Sequence, residues 1–260
     1  YINTLYNITA NTLFIGKPLI YLPSCHSTND IAADMVHRPG ITEGTTIIAN
    51  YQTAGKGQRG NSWESQEGKN LMFSVILKPS FLSPAEQFNL NIVISLSVSE
   101  LLTTYLGKKV KVKWPNDIFY EDKKICGILI QNFIKSSTVE ASVVGIGINI
   151  NQIEFSQGRA TSLAKILSKE FDRNKLLNEY LVILEKMYLR LKSGEYNFLK
   201  KSYIEGLYKR EEIAWYRASG NVFQGKIIGI DPIGQLLIEE GEKLHAFQFK
   251  EVEFLDLSDK

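Results

Sequence analysis

Two almost continuously apolar, β-branched runs, residues 125–133 and 139–150, constrain the fold of this chain more than any other feature. A strand with one wet face alternates polar and apolar residues. Runs without that alternation predict strands covered on both sides, at the centre of a sheet. Residues 45–52, 70–78 and 110–114 predict further strands, and residues 12–22 alternate loosely as an edge strand. A helix is predicted to start at Ser27-Thr28-Asn29-Asp30, with Ile31, Met35 and Val36 on one face. A second follows the Ser83-Pro84-Ala85-Glu86 start signal and runs to about Leu106, where Gly107 stops it. Amphipathic patterns over 172–191 and 195–208 predict two more. The result is a mixed α/β layer. Beyond residue 211, short strands separated by Ser219-Gly220-Asn221, Asp231-Pro232-Ile233-Gly234 and Glu240-Gly241-Glu242 predict a small barrel or curled sheet. The domain boundary is placed near 210, giving units 1–210 and 211–260.

At 260 residues and 44% hydrophobic composition, the chain can bury a large core without staples. Thirty basic residues against 28 acidic ones make no demand for nucleic acid or an anionic membrane as partner. The two cysteines, Cys25 and Cys126, have no metal-ligand spacing and suggest a reducing, cytoplasmic setting. Polar residues interrupt the apolar runs, so membrane insertion is not expected, and no secretory signal pattern opens the sequence.

The segment Gly55-Lys56-Gly57-Gln58-Arg59-Gly60-Asn61-Ser62-Trp63 joins two predicted strands and combines backbone freedom with positive charge. Three glycines permit positive φ and close approach of peptide N–H groups to an anion, Lys56 and Arg59 supply charge, and Trp63 is an anchor for the loop's end. It is not a Walker A loop, because no Gly-Lys-Ser/Thr closes it, and it lacks the Gly-x-Gly-x-x-Gly order of a dinucleotide fold. Taken alone, such a segment is equally a surface turn.

Its company decides the reading. Ser27-Thr28-Asn29 lies upstream and Tyr51-Gln52-Thr53-Ala54 leads into the loop. Downstream come Lys113-Trp114-Pro115-Asn116-Asp117, Lys123-Lys124-Ile125-Cys126-Gly127-Ile128-Leu129 and Gly145-Ile146-Gly147-Ile148-Asn149. In this order, over about residues 20–165, these segments resemble the catalytic domain of biotin protein ligases. The resemblance implies a class II synthetase-like α/β domain with a mixed sheet, followed by a C-terminal SH3-like β-barrel. It implies activation of biotin by ATP to biotinyl-5′-AMP, with magnesium as the metal, and transfer to a lysine of a biotin carboxyl carrier domain of a biotin-dependent carboxylase.

That chemistry needs a urea-binding end, positive charge around carboxylate and phosphates, and exclusion of water from a reactive mixed anhydride. Ser27, Thr28, Asn29 and Gln52 both donate and accept hydrogen bonds, as a urea requires, although Ser27 to Asn29 alone read more readily as a helix cap. The resemblance places Gly55, Lys56, Gly57, Gln58, Lys124 and Gly127 at biotin, with Lys124, Lys56 and Arg59 as the catalytic cations. It places Trp63, Asn116, Asp117, Asn149 and Thr161 at the nucleotide, with Asp117 toward magnesium. Gly-Arg-Gly-Arg is frequent in the family where this chain has Gly55-Lys56-Gly57-Gln58, so Lys56 loses forked geometry and Gln58 loses a charge. The loop is expected to be disordered without ligand and to close over it.

A lipoate ligase or octanoyl transferase of the same fold and a non-catalytic biotin-binding regulator are the rival readings. The second enzyme needs a thiol nucleophile, and Cys126 in an apolar strand is instead read as packing. About 20 residues precede the Ser-Thr-Asn segment, too few for a winged-helix reader, so DNA binding is not expected. A homodimer is left open.

Overall fold

The computed structural model describes residues 6, 9–156, 158–210 and 212–255, with the side chain of Arg59 outside the described set. The chain enters through β1 (Leu19–Cys25), turns at Ser27 into α1 (Thr28–Met35), and returns as β2 (Thr46–Gln52) parallel to β1. Then come β3 (Leu71–Leu77), α2 (Phe88–Leu106), β4 (Val110–Lys113), β5 (Asp117–Tyr120), β6 (Lys123–Lys135) and β7 (Thr138–Ile148). These strands form one seven-stranded mixed sheet in the order β1-β2-β3-β7-β6-β5-β4. β7 is the middle strand and β6 its neighbour, as their unbroken apolar runs predicted.

Because side chains alternate across a strand, neighbouring residues serve opposite faces. Ile47, Ile76, Ala141 and Val143 pack beneath Ala32 of α1 and Val36 at its C-cap. Ile48, Val75, Leu77 and Val144 join the main core on the other face. That face is covered by α2 and by α4 (Arg173–Lys192), reached through the short α3 (Leu163–Leu167). α2 is long and apolar enough to cross a membrane by length and composition, but here half of its apolar stretch is buried inside the fold. A capping box of Ser83 and Glu86 opens the short turn before it, and Gly107, at φ +72°, ends it.

α5 (Tyr196–Glu205) leads to the second sheet: β8 (Ile213–Ala218), β9 (Asn221–Ile230), β10 (Leu236–Glu240), β11 (Lys243–Phe247) and β12 (Val252–Leu255), antiparallel in the order β11-β10-β9-β8-β12. It is keyed to the first sheet at the Trp114 turn. The indole N–H of Trp114 donates to Gly234 O at 2.9 Å, and its ring faces Phe249. Gly234, at φ +91°, is pressed so close to Phe88 that a Cβ would stand 2.1 Å from the ring, so a side chain there has no room.

Two local expectations are corrected. The edge strand begins at Leu19 rather than at residue 12, because residues 12–17 fold into turns tied by Thr12 to Ile15 O and by Lys17 to Thr12 O. The four-residue β5, between the Trp114 turn and β6, was not foreseen.

Candidate active site

A cavity of about 680 Å³ opens across β6 and β7 and is walled by the start of α1, the glycine segment, the Trp114 turn and part of the second sheet. One end is polar but uncharged. Ser27 caps α1, accepting from Asp30 N at 3.5 Å, and Thr28 and Asn29 follow it into the cavity wall. The Thr28 backbone N–H donates to Gln52 Oε1 at 2.7 Å, fixing that amide. The buried Ser74 hydroxyl donates to Asn29 Oδ1 at 2.6 Å and lies 2.8 Å from Thr28 Oγ1, while Asn29 Nδ2 donates to Leu129 O at 3.2 Å. Asn29 fits here because Gly145 lies beneath it; a Cβ on that glycine would stand 2.0 Å from Asn29 Oδ1. Capping and a preorganised hydrogen-bonding wall are thus the same structure.

The other end carries charge. Lys124, at the start of β6, holds its ammonium 2.8 Å from Asp117 Oδ1, with both side chains about one-third exposed to the cavity. The turn delivering Asp117 is braced at the Pro115 carbonyl, which accepts from Asn91 Nδ2 at 2.7 Å and from the buried Tyr203 hydroxyl at 2.5 Å. Asn116 is buried and donates to Ile128 O at 2.9 Å.

The glycine segment forms a hairpin over the cavity. Gly57 N donates to Asn61 O, Trp63 N donates to Gly55 O, and Lys56 bridges to Ser62. Gly60 takes φ +87°, but Gly57, at φ −104° and ψ −172°, is extended. Of the three glycines that permit positive φ, Gly60 uses it, whereas Gly55 and Gly57 are small because the hairpin's two arms pass close to them. A Cβ on Gly55 would meet Trp63 O at 2.8 Å. The half-buried Trp63 lies on Gly127 and Gly147, where added Cβ atoms would stand 2.8 and 2.5 Å from its ring, and Lys124 Nζ sits 5.8 Å from the ring centroid. Lys56 is not a free cation: its ammonium is paired with Asp30 at 2.7 Å. Gln58 lines the cavity.

Asn149 and Thr161 are brought together behind the wall rather than onto it. Asn149 Nδ2 donates to Thr161 O at 3.0 Å, and residues 159–161 run alongside Lys124, whose N–H donates to Arg159 O. Arg159 itself lines the cavity, as do Phe249 and Lys250 in the turn before β12 and Phe254 on β12. Cys126 is fully buried in β6, and burial pushes its thiol well above the ordinary range despite nearby Lys124. Asp117 is already engaged by Lys124, and no group of three or more His, Cys, Asp or Glu side chains suited to a metal occurs among the described residues. These donors do not make a protein-held magnesium site.

Ser74, Asp30, Asn91 and Tyr203 were missed as contributors. Ser74 stands inside an apolar strand and the others act across 24 to 88 residues of sequence, so local spacing carries no signal of them.

A family profile described as the biotin/lipoate A/B protein ligase family matches residues 21–149. The bifunctional ligase/repressor BirA of Bacillus subtilis strain 168 is 31% identical over 251 residues, covering 93% of this chain and 75% of that protein. The chain belongs to the biotin protein ligases of this family. The biotin–[acetyl-CoA-carboxylase] ligase of Paracoccus denitrificans is 32% identical over 128 residues, 48% of this chain and 51% of that one. The biotin protein ligase of Aquifex aeolicus, solved in complex with biotin and ATP, superposes with a TM-score of 0.77 at 29% identity, covering 92% of this chain and 99% of that one. This ligase therefore shares both the mixed-sheet catalytic fold and the following β domain with a structure of its own family.

Proposed function

We propose that this ligase condenses biotin with ATP to biotinyl-5′-AMP and then transfers the biotinyl group to one lysine of a biotin carboxyl carrier domain. The observation that carries the reading is a single cavity with a neutral hydrogen-bonding end at Ser27, Thr28, Asn29 and Gln52 and a cationic end at Lys124. A urea matches the first and a carboxylate meeting an α-phosphate matches the second. In the first step the carboxylate oxygen forms a bond to the α-phosphorus and pyrophosphate leaves. Lys124 supplies charge where negative density accumulates, and Asp117 aims it. In the second step the acceptor amine attacks the acyl carbon and AMP leaves, with the hairpin keeping water away until then. Magnesium enters with the nucleotide's phosphates as part of the substrate. Arg59 and Gln58 are assigned to the phosphate side of the hairpin, and Trp63, Asn116, Asn149 and Thr161 to the nucleotide side, the last two through the backbone they support.

Biotin-dependent exchange of pyrophosphate into ATP tests the first step; lipoate and octanoate are the comparison acids. Exchange with biotin alone is expected. Exchange driven by lipoate or octanoate, or none with any acid, would overturn the assignment. A thioester route through Cys126 is disfavoured by its burial and its raised thiol pKa.

We assign residues 1–210 to the catalytic domain and 211–260 to the β domain, and place the enzyme in the cytoplasm. With nearly balanced charge, it is expected to show no sequence-specific DNA binding; saturable binding to biotin-operon promoter DNA in the presence of excess nonspecific competitor would contradict this.

Gly147→Ala tests the seat of Trp63. The new methyl must displace the indole, and overpacking costs of about 1–3 kcal/mol correspond to roughly tenfold faster release of biotinyl-adenylate. Release at the parent rate would show that Trp63 does not hold the hairpin down.

A further inference from the structure

We propose that Asp30 is a positioning residue for the hairpin: fixed on the first turn of α1, its carboxylate latches the hairpin over the cavity through Lys56 and slows escape of the activated intermediate. This rests on the ligase reading for its consequence, though not for the contact itself. Asp30 is not among the cavity-lining residues, yet it follows directly on Ser27, Thr28 and Asn29, which are. Thr28 and Asn29 are locked to the sheet through Gln52, Ser74 and Leu129 O, so Asp30 is carried by a fixed wall.

The hairpin is unevenly tethered. Its returning arm has two attachments: the Trp63 ring on Gly127 and Gly147, and the Glu64 carboxylate, which accepts from Ser156 N at 3.2 Å. Its outgoing arm is anchored at the base, where Thr53 N donates to Cys25 O and Ala54 N to His26 O, both at 2.9 Å, and further out by Lys56, whose ammonium lies 2.7 Å from Asp30 Oδ1 and which faces Ser62 across the hairpin. Without the ion pair, the glycine tip beyond Gly55 would swing on that base and on Trp63. The pair is partly exposed, with Lys56 54% and Asp30 31% accessible, so it contributes modestly and is screened by salt. A latch that must release after every turnover has to be of that size.

Asp30 also sits in the first turn of α1, where a carboxylate favours the helix dipole, and the test must separate this local effect from the latch. Trypsin cleavage after Arg59 in the ligand-free protein reads local opening of the hairpin. Asp30→Asn and Lys56→Gln are each expected to speed cleavage about two- to fivefold at low salt, with the double variant no faster than either. Asp30→Glu should restore most of the protection, and at about 1 M salt the variants and parent should converge. With biotin and ATP supplied, Asp30→Asn should release biotinyl-adenylate faster by the same factor without slowing its single-turnover formation. Unchanged cleavage, additive effects in the double variant, or an effect that persists at high salt would overturn the latch. Coupled cleavage in a protein that forms no adenylate would leave the contact standing and remove the ligase reading.

Discussion

Replacing Lys124 with alanine is expected to lower the single-turnover rate of biotinyl-adenylate formation about 100-fold, or roughly 2.7 kcal/mol of transition-state stabilisation, with biotin affinity much less affected. The ammonium lies 2.8 Å from Asp117 and is held by a strand start rather than a mobile surface arm. It is therefore ordered before substrate arrives, and preorganised charge is worth more than charge recruited during the reaction. Removing it also leaves Asp117 without this partner, beside the place where phosphate charge gathers, so the loss has an attractive and a repulsive part. Asp117→Asn separates them: it should cost less than Lys124→Ala, and the double variant should recover part of the deficit. Near-normal adenylation by Lys124→Ala would remove this lysine from the chemistry.

How much of the site was legible depended on how far its parts lie apart in sequence. Ser27-Thr28-Asn29, Lys124 and the glycine segment stand in recognisable runs, and the fold brings all of them to one cavity. The partners that orient them do not. Asp30 looks like an ordinary first-turn carboxylate until Lys56 is placed beside it, and Ser74 looks like a polar interruption in a strand until it meets Asn29. The strand glycines Gly145 and Gly147 read as places of close approach, but that Asn29 and Trp63 are what approach them, and Gly127 beside them, is visible only in the fold. A sequence announces that a side chain is missing; only packing says what fills the space.

The sheet was legible where burial left strong patterns, as in β3, β6 and β7, whose pairings are long. β5 was not, because its four residues do not alternate, Ile118 and Phe119 both being buried, whereas the four of β4 do. The start of β1 was misplaced for a related reason. Residues 12–17 alternate like a strand, but their backbone groups are claimed by a distant helix, and that claim is strong enough to measure.

Glu185→Ala should destabilise the protein by about 3 kcal/mol, a fall in melting temperature of roughly 8 °C for a chain of this size. The Glu185 carboxylate, 6% exposed on α4, accepts from the backbone N–H groups of Leu13 at 2.6 Å, Phe14 at 2.9 Å and Ile15 at 3.0 Å. Leu13 is largely exposed and can turn to water, but Ile15 is fully buried and cannot. Alanine leaves that donor unpaired, and an unpaired buried donor costs more than an average hydrogen bond returns. Two turns earlier on the same helix, Asn178 Oδ1 accepts from the N–H groups of Thr9 and Ala10 at 2.7 Å, so α4 serves as the template for residues 9–15. Glu185→Gln keeps one acceptor oxygen. Turned toward Phe14 and Ile15, it surrenders only the Leu13 contact and should fall between alanine and the parent. Thermal unfolding followed by circular dichroism distinguishes the three, while adenylation at 15 °C, well below the transition, should be nearly equal among them. An unchanged midpoint for the alanine variant would mean that the three N–H groups find other partners, and that α4 does not order the segment leading into β1.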